Sequence, residues 1–351
     1  MSSRRPLSSL GLAVPVVTKL LDADFVYDDD VQSLKPTELS AATGLTLKES
    51  AEVLRLAASV NAEQPVTVMQ MIEDESDVCH VVTFCEALDD MLGGGIPLRA
   101  ITEISGTPGI GKTQLCLQAC VSVQLPDSVG GVGGEAVFVD TEGSFTVGRL
   151  KDMASHAVEH VQNIAGDEID VSSFTIESIL KGVHYFRCHS YIEVLAVIRH
   201  LPVFLQSHPK LKLFVIDSIA FHFRHDFPDM MARTGLLCRI TQQLIQQATK
   251  YNMAVIVTNQ MTTRIESGGS QLVAALGETW GHCPTMRLTL HWSGRVRVAS
   301  LTKAPHRNNA SIQYQITKAG IRDITPFMAD ASTPLTMDSP DRKKRKLSTS
   351  M

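Results

Sequence analysis

The sequence lacks several features, and each absence excludes a class of protein. No apolar run approaches the ~18 residues that a membrane span needs, so no membrane partner is expected. Only a short, proline-broken apolar stretch follows the start of the chain, so a cleaved signal peptide is not expected either. The seven cysteines form no C-x-x-C pair, and their odd, unpatterned count indicates a reducing compartment.

A net positive charge is also missing, since the formal charge is −5. Proteins that bind nucleic acid with their whole surface tend to be basic, so any contact of the folded part with DNA must be local. Positive charge is concentrated near the C-terminus, in Arg342, Lys343, Lys344, Arg345 and Lys346. We interpret this run as a nuclear-import signal in a disordered tail, with a nucleic-acid tail or a merely solvated basic end as alternatives. The expected location is the nucleus, with room for a cytoplasmic fraction.

A complete phosphate-binding loop, G-x-x-x-x-G-K-[ST], is the strongest motif present. Its residues are Gly106, Thr107, Pro108, Gly109, Ile110, Gly111, Lys112 and Thr113. An apolar run precedes it and a helix-compatible stretch follows, so a strand, a turn and a helix N-terminus aim backbone N–H groups at one point. Lys112 is placed to reach the β- and γ-phosphates, and Thr113 to put its hydroxyl on Mg²⁺. The sequence therefore predicts binding of a nucleoside triphosphate with Mg²⁺.

Two carboxylates at the ends of apolar runs complete the predicted site. Asp217 ends the run 213–216 and is the expected second holder of Mg²⁺, through water. Glu142 lies two positions past Asp140, at the end of another apolar run, and is the expected base that orients the attacking water. Alternatively, Asp140 and Glu142 only cap the next helix. Together with Lys112, Glu142 is the predicted catalytic residue.

Two segments are candidate contacts for DNA. Residues 221–227 interleave aromatic, Arg and His side chains, a pattern that suits a nucleic-acid backbone and bases but also half-buried packing. Gln260 ends a strand and is placed to sense the γ-phosphate, and the glycine-containing loop 261–277 after it is expected to be mobile. The candidate DNA-contact residues are Arg224, His225, Arg264, Gly268 and Gly269.

The chain divides into four predicted parts: an N-terminal helical domain of helix-hairpin-helix character (1–60), a linker (61–80), an ATPase core (81–325) and a disordered tail (326–351). The helical domain either presents backbone N–H groups to a phosphate or serves as a packing module. Alternating strands and helices predict an α/β core with a mostly parallel, twisted sheet, helices on both faces and an antiparallel edge. The predicted strands are 101–104, 136–140, 183–187, 213–217, 254–258, 286–291, 295–301 and 312–316, and the predicted helices of the core are 114–124, 149–165, 191–205 and 232–251.

The order of these motifs resembles the RecA-type recombinases. The phosphate loop, Asp140–Gly143, the strand ending at Asp217 and Thr258–Gln260 follow one another as they do in that family. The segment 88–97 and the N-terminal helical unit are similar to its eukaryotic and archaeal branch. Within that branch, the chain resembles a recombinase paralogue. The resemblance lies in the basic tail and in the segments 133–138, 185–188, 221–226 and 276–282.

The resemblance implies a RecA-like core and a DNA-dependent ATPase subunit of a recombination-mediator complex, acting in repair of double-strand breaks. It implies ATP and Mg²⁺ as cofactors, single-stranded DNA as a partner, and branched DNA as a further candidate. Fellow paralogues in hetero-oligomers and the main recombinase filament are the implied protein partners. It also implies that nucleotide lies between protomers, that Arg149 stacks on adenine, that Gln260 links phosphate to the DNA loops, and that 303–305 covers a neighbour's nucleotide.

The sequence departs from the main recombinase in two places. The linker has no Phe-x-x-Ala motif, so self-filamentation is not implied, and the Ser- and Gly-rich loop 261–277 does not imply autonomous strand exchange. One alternative is an assembly subunit in which ATP stabilises protomer interfaces and hydrolysis is incidental. Another is a hexameric helicase with the same core, which the N-terminal unit and linker disfavour.

Overall fold

The computed structural model describes residues 6–32, 34–59, 67–70, 79–225, 227, 229–266 and 269–324. Two compact units, Met1–Asp77 and Val78–Met351, make up the chain, and each is described by itself. The division falls inside the predicted linker. Most of that linker and the whole tail 326–351, with its basic run, lie outside the described residues, so the domain boundaries and the import signal stay predictions.

The first unit is helical, with α1 (Val14–Asp22), α2 (Asp28–Gln32), α3 (Pro36–Thr43) and α4 (Leu47–Ser59). Its core contains buried aliphatic side chains from all four helices, including Leu20, Val31, Leu39 and Val53. The hydroxyl of Thr46 accepts the Glu49 N–H at 3.2 Å and the Glu49 carboxylate accepts the Thr46 N–H at 2.8 Å, a capping box that starts α4. The acidic run 28–30 begins α2.

The strands of the second unit are β1 (His80–Val81), β2 (Ile96–Pro97), β3 (Ile101–Gly106), β4 (Glu135–Asp140), β5 (Val183–Arg187), β6 (Leu211–Asp217), β7 (Ala254–Asn259), β8 (Met261–Glu266), β9 (Gly269–Ala274), β10 (Met286–Ser293), β11 (Val296–Lys303), β12 (Ala310–Thr317) and β13 (Gly320–Asp323). Nine of them form one sheet in the order β13-β12-β11-β10-β3-β7-β6-β4-β5. Pairing is parallel from β10 to β5 and antiparallel from β10 to β13. The predicted fold class is confirmed, and each predicted strand lies within two residues of an observed one.

Helices cover both faces of this sheet. They are α5 (Glu86–Leu92), α6 (Lys112–Ser122), α7 (Val147–Ala165), α8 (Ile176–Lys181), α9 (Tyr191–Ser207), α10 (Ile219–His225), α11 (Met230–Tyr251) and α12 (Glu278–His282). Alternate residues of β4 enter opposite cores: Phe138 joins the core with α6 and α7, whereas Val137 and Val139 join the core with α9 and α11. Within the described ranges, every helix is too short or too polar to cross a membrane.

The two segments with candidate DNA-contact residues contain regular elements. The segment 221–227 lies largely in α10. Phe223 is buried there and stacks on Phe227 with ring centroids 5.5 Å apart, so packing accounts for two of the three phenylalanines in the segment. The loop 261–277 contains the antiparallel pair β8 and β9, in which Thr262 lies opposite Val273. β-branched residues on both sides of the glycines favour strands over a mobile loop.

Candidate functional site

The phosphate loop follows β3 and leads into α6, as predicted. Gly109 and Gly111 have φ of 75° and 121°, and a Cβ on Gly111 would lie 2.6 Å from Cδ1 of Ile316, so the loop both turns sharply and packs closely. Lys112 opens α6 and donates through Nζ to the carbonyls of Gly106 at 2.9 Å and Thr107 at 3.2 Å. Burial lowers the pKa of this ammonium. A cation held over a glycine turn at a helix N-terminus fits a bound polyphosphate.

Asp217, at the end of β6, lies at the centre of a group of hydroxyls. Its Oδ2 accepts from the Thr113 hydroxyl at 2.6 Å and from the Ser144 hydroxyl at 3.4 Å, and its Oδ1 accepts from Thr258 at the end of β7. The carboxylate is 2% exposed, and this burial raises its pKa while the threonine donors oppose the shift. A carboxylate and a hydroxyl beside a phosphate loop are oxygen donors of the kind that Mg²⁺ prefers, so these residues fit the ion.

Glu142 and Gln260 meet at the same edge of the sheet. The Glu142 carboxylate accepts from the Gln260 side-chain amide at 2.7 Å and from the Ser218 hydroxyl at 2.6 Å through the same oxygen, Oε1. The carbonyl oxygen of Gln260 accepts from Nη1 of Arg224, at 2.9 Å, near the end of α10. Three predicted site residues from three elements therefore form one hydrogen-bonded row.

Asp140 has a different role from that of Glu142. Its Oδ1 accepts the backbone N–H groups of Glu142, Gly143 and Ser144 at 2.7–3.2 Å, so it shapes the turn that follows β4. The hydroxyl of Tyr185 donates to the other oxygen at 3.1 Å. Asp140 therefore shapes the turn before the next helix and does not cap that helix, which begins at Val147 without a side-chain cap, while the Glu142 side chain points to the strand end that carries Gln260.

Arg149, the residue expected to stack on adenine, connects α7 to the far edge of the sheet. Its guanidinium donates to the carbonyls of Thr317 at 2.7 Å and Lys318 at 2.5 Å, in the turn between β12 and β13, and to Gln114 Oε1 at 2.6 Å. These bonds hold the guanidinium plane beside the start of α6. Its contact with a base stays a prediction.

Sequence reasoning missed the buried carboxylate of Glu103, in β3. It is 0% exposed and accepts from Asn259 Nδ2 at 2.7 Å and Trp280 Nε1 at 2.6 Å through Oε1, and from Arg287 Nε through Oε2. These donors come from the end of β7, from α12 and from β10. Glu103 therefore anchors the residue before Gln260 and the helix that follows the β8–β9 hairpin. A charged residue in a strand that has no other charge is the signal that could have identified it.

Lys303, in the segment expected to cover a neighbour's nucleotide, makes contacts within its own chain. Its Nζ donates to the carbonyls of His282 at 2.9 Å and Pro284 at 2.8 Å, and more weakly to Gly281 at 3.4 Å. This ammonium satisfies carbonyls at the C-terminal end of α12, where a cation also suits the helix dipole.

The remaining DNA-contact candidates are placed only by their backbone. His225 ends α10, Arg264 lies in β8 opposite Gln271, and Gly269 opens β9. The side chains of His225 and Arg264, and all of Gly268, lie outside the described residues. Arg224, whose side chain is described, lies beside Gln260, which in turn contacts Glu142.

Comparison with known proteins gives matches along almost the whole chain. Residues 74–324 match the sequence model of the Rad51 family. The DNA repair protein RAD51 homolog 3 of Cricetulus griseus is 44% identical over 360 residues, covering 97% of this chain and 98% of that protein. The protein of the same name from Dictyostelium discoideum is 41% identical over 250 residues, covering 70% and 66% respectively. The DNA repair and recombination protein RadA of Metallosphaera sedula is 32% identical over 324 residues, covering 91% and 95%.

Proposed function

Because the chain belongs to the Rad51 family, we propose that it is a DNA-stimulated ATPase subunit of a recombination-mediator complex in homologous-recombination repair of double-strand breaks. Its relatives are named for DNA repair and recombination, and the match to one of them extends over nearly the full length of both chains. Single-stranded DNA, fellow recombinase paralogues and the main recombinase filament are the proposed partners, and branched DNA is a further candidate ligand.

The residues divide the work of ATP hydrolysis among them. The phosphate loop and Lys112 would hold the phosphates, Thr113 and Asp217 would hold Mg²⁺, and Arg149 would face the base. Bound Mg²⁺ supplies positive charge that neutralises the transferring phosphoryl group. Glu142 orients the attacking water, and Lys112 adds charge stabilisation where negative charge develops.

One observation carries the coupling of this site to DNA: the row of hydrogen bonds from Glu142 through Gln260 to Arg224. The Gln260 amide has one donor and one acceptor engaged, toward the catalytic carboxylate on one side and the candidate DNA-contact arginine on the other. If the Gln260 amide exchanges Glu142 for another hydrogen-bond partner, its hydrogen bond with Arg224 therefore changes as well. On this basis, DNA affinity and the state of the nucleotide site influence each other.

ATP turnover of the purified protein, with and without single-stranded DNA, tests the proposal. Lys112→Ala is expected to abolish nucleotide binding, whereas Glu142→Gln, which keeps the size and loses the charge of the side chain, is expected to retain binding and lose turnover at least ~100-fold. Turnover by Glu142→Gln equal to that of the unmodified chain would remove Glu142 from catalysis. No turnover in the unmodified chain alone, with nucleotide binding that requires Lys112, would place completion of the site in a partner subunit.

A cellular assay separates this proposal from an assembly role. If nucleotide acts only to stabilise protomer interfaces, Glu142→Gln restores repair fully in cells that lack the protein, and Lys112→Ala does not. If hydrolysis is needed, both variants fail. Co-purification of paralogues with each variant shows whether assembly survives.

We also propose nuclear import through the basic run 342–346. Fusion of residues 338–351 to a fluorescent protein is expected to concentrate it in the nucleus, and alanines at Lys343 and Lys344 are expected to abolish this. If both fusions are distributed equally between nucleus and cytoplasm, the basic run is a solvated end of the chain and not an import signal.

A further inference from the structure

Two thiols from separate elements lie in contact in the second unit. The Sγ atoms of Cys238, in α11, and Cys283, just after α12, are 3.7 Å apart, although the residues are 45 positions apart in the chain. Both side chains are partly exposed, so a small oxidant has access to them. The catalytic and DNA-contact residues described above do not include either thiol.

Both thiols are held on well-anchored backbone. Cys238 lies inside α11, which spans Met230–Tyr251 and packs against the sheet through Leu237 and Ile240. Cys283 is flanked by the two carbonyls that Lys303 holds most closely, and its thiol donates to the carbonyl of Thr279 at 3.7 Å. α12 is in turn tied to β3 through the Trp280–Glu103 hydrogen bond. The contact between the sulfurs therefore has rigid supports on both sides.

We propose that Cys238 and Cys283 form a disulfide when the protein meets hydrogen peroxide. One thiol attacks the peroxide and becomes a sulfenic acid with release of water, and the other thiol then displaces a second water from that sulfur to give the S–S bond. Two cysteines lose two hydrogens, and one peroxide is reduced to two waters.

The required motion is small. A disulfide has an S–S bond of about 2.0 Å, so the sulfurs must approach by roughly 1.7 Å, which rotation of both side chains about χ1 by some tens of degrees supplies. Burial, and then the neighbouring thiol, raise the pKa of Cys283 to about 11, against the opposing effects of the Thr241 hydroxyl and the Lys303 ammonium. Attack on peroxide by the Cys283 thiolate is therefore slow at neutral pH.

The cross-link has a defined mechanical effect. α11 begins shortly after α10, and α12 follows the β8–β9 hairpin, so the bond joins the elements that leave the two candidate DNA-contact segments. Opening of α12 away from α11 is prevented in the oxidised chain. The chemistry of this inference does not rest on the proposed function.

Peptide mapping of the full-length protein tests the inference. The chain is reduced, freed of reductant, exposed to hydrogen peroxide, blocked with N-ethylmaleimide and digested with trypsin. We expect a linked pair of peptides, 234–239 with 265–287, at a mass two hydrogens below their sum, and two fewer alkylated thiols per chain. Slower amide exchange in residues 278–283 of the oxidised protein is the accompanying structural readout.

Matched variants give the controls. Cys238→Ser and Cys283→Ser must each abolish the linked pair, whereas Cys79→Ser, at an exposed cysteine elsewhere in the chain, must leave it unchanged. Peroxide treatment that leaves both thiols open to alkylation, or oxidises each separately to sulfinic acid, would overturn the inference. A linked pair whose formation leaves amide exchange in residues 278–283 unaltered would overturn the restraint of α12 against α11.

Discussion

Replacing Glu103 with glutamine tests whether its charge holds the end of β7, α12 and β10 together. The glutamate accepts from Asn259 and Trp280 on one oxygen and from Arg287 on the other. A glutamine has one acceptor oxygen, so its best orientation keeps the first two donors and turns its NH₂ toward the guanidinium. The glutamine NH₂ and the Arg287 guanidinium, both donors, then face each other at a position where the replaced side chain is fully buried.

The magnitude follows from the burial of the pair. Removing one partner of a buried ion pair costs about 3–5 kcal/mol. Arg287 is 26% exposed and recovers part of this from water, so we expect a loss of about 2–3 kcal/mol in the free energy of unfolding. Urea unfolding followed by tryptophan fluorescence measures it, because Trp280 is 2% exposed and touches the altered residue, whereas the second tryptophan, Trp292, is 45% exposed. The midpoint should fall by about 1 M.

Arg287→Met and the double variant complete a cycle. In the double variant no guanidinium faces the NH₂ group of the glutamine. The double variant should therefore lose less stability than the sum of the single variants, by about 2 kcal/mol. Additivity within ~0.5 kcal/mol would refute the reasoning, because the charge of Glu103 would then contribute nothing through Arg287.

Three further predictions follow from single contacts. Arg224→Gln should lower the ratio of DNA-stimulated to basal ATP turnover severalfold, because Arg224 is the candidate DNA contact that is hydrogen-bonded to Gln260; an unchanged ratio would remove that link. Thr258→Val should raise the Mg²⁺ concentration for half-maximal ATP binding about tenfold, because Asp217 loses a donor that supports its charge, and a fluorescent ATP analogue measures this. Burial raises the pKa of Asp89 to about 6, above its unfolded value, so its proton stabilises the fold at low pH and this is lost as pH rises through about 6. The urea midpoint of the wild type should fall between about pH 4 and 6.5 relative to Asp89→Asn, and parallel profiles would contradict the assignment.

Patterns with a strong local cause were predictable from the sequence. The strand at 183–187 is observed at its predicted limits, and the helix predicted at 232–251 starts two residues earlier, at Met230. Apolar alternation or runs determine such elements largely by themselves. The meeting of Thr113 with Asp217 was also predictable, because a phosphate loop and the carboxyl end of a neighbouring parallel strand share one edge of the sheet.

Contacts that depend on tertiary packing were not predictable. The aromatic pattern of 221–227 suits nucleic-acid contact as well as half-buried packing, and only the folded chain shows that Phe223 is buried within α10. The glycines in 261–277 indicate a loop. The structure has two paired strands there, β8 and β9, and neither segment on its own reveals this pairing. The partners of Glu103 come from residues 156 to 184 positions away, so its role appears only in the folded chain.

The hydroxyls around Asp217 have a consequence for how fast nucleotide and metal can exchange. Thr113 and Thr258 now act as donors to the carboxylate, but a hydroxyl also carries lone pairs and rotates about a single bond. The Thr113 hydroxyl can turn its proton away from Asp217 and offer oxygen to a cation without any displacement of heavy atoms. If Mg²⁺ is held here as proposed, we therefore expect it to load and leave without a rearrangement of the protein around Asp217.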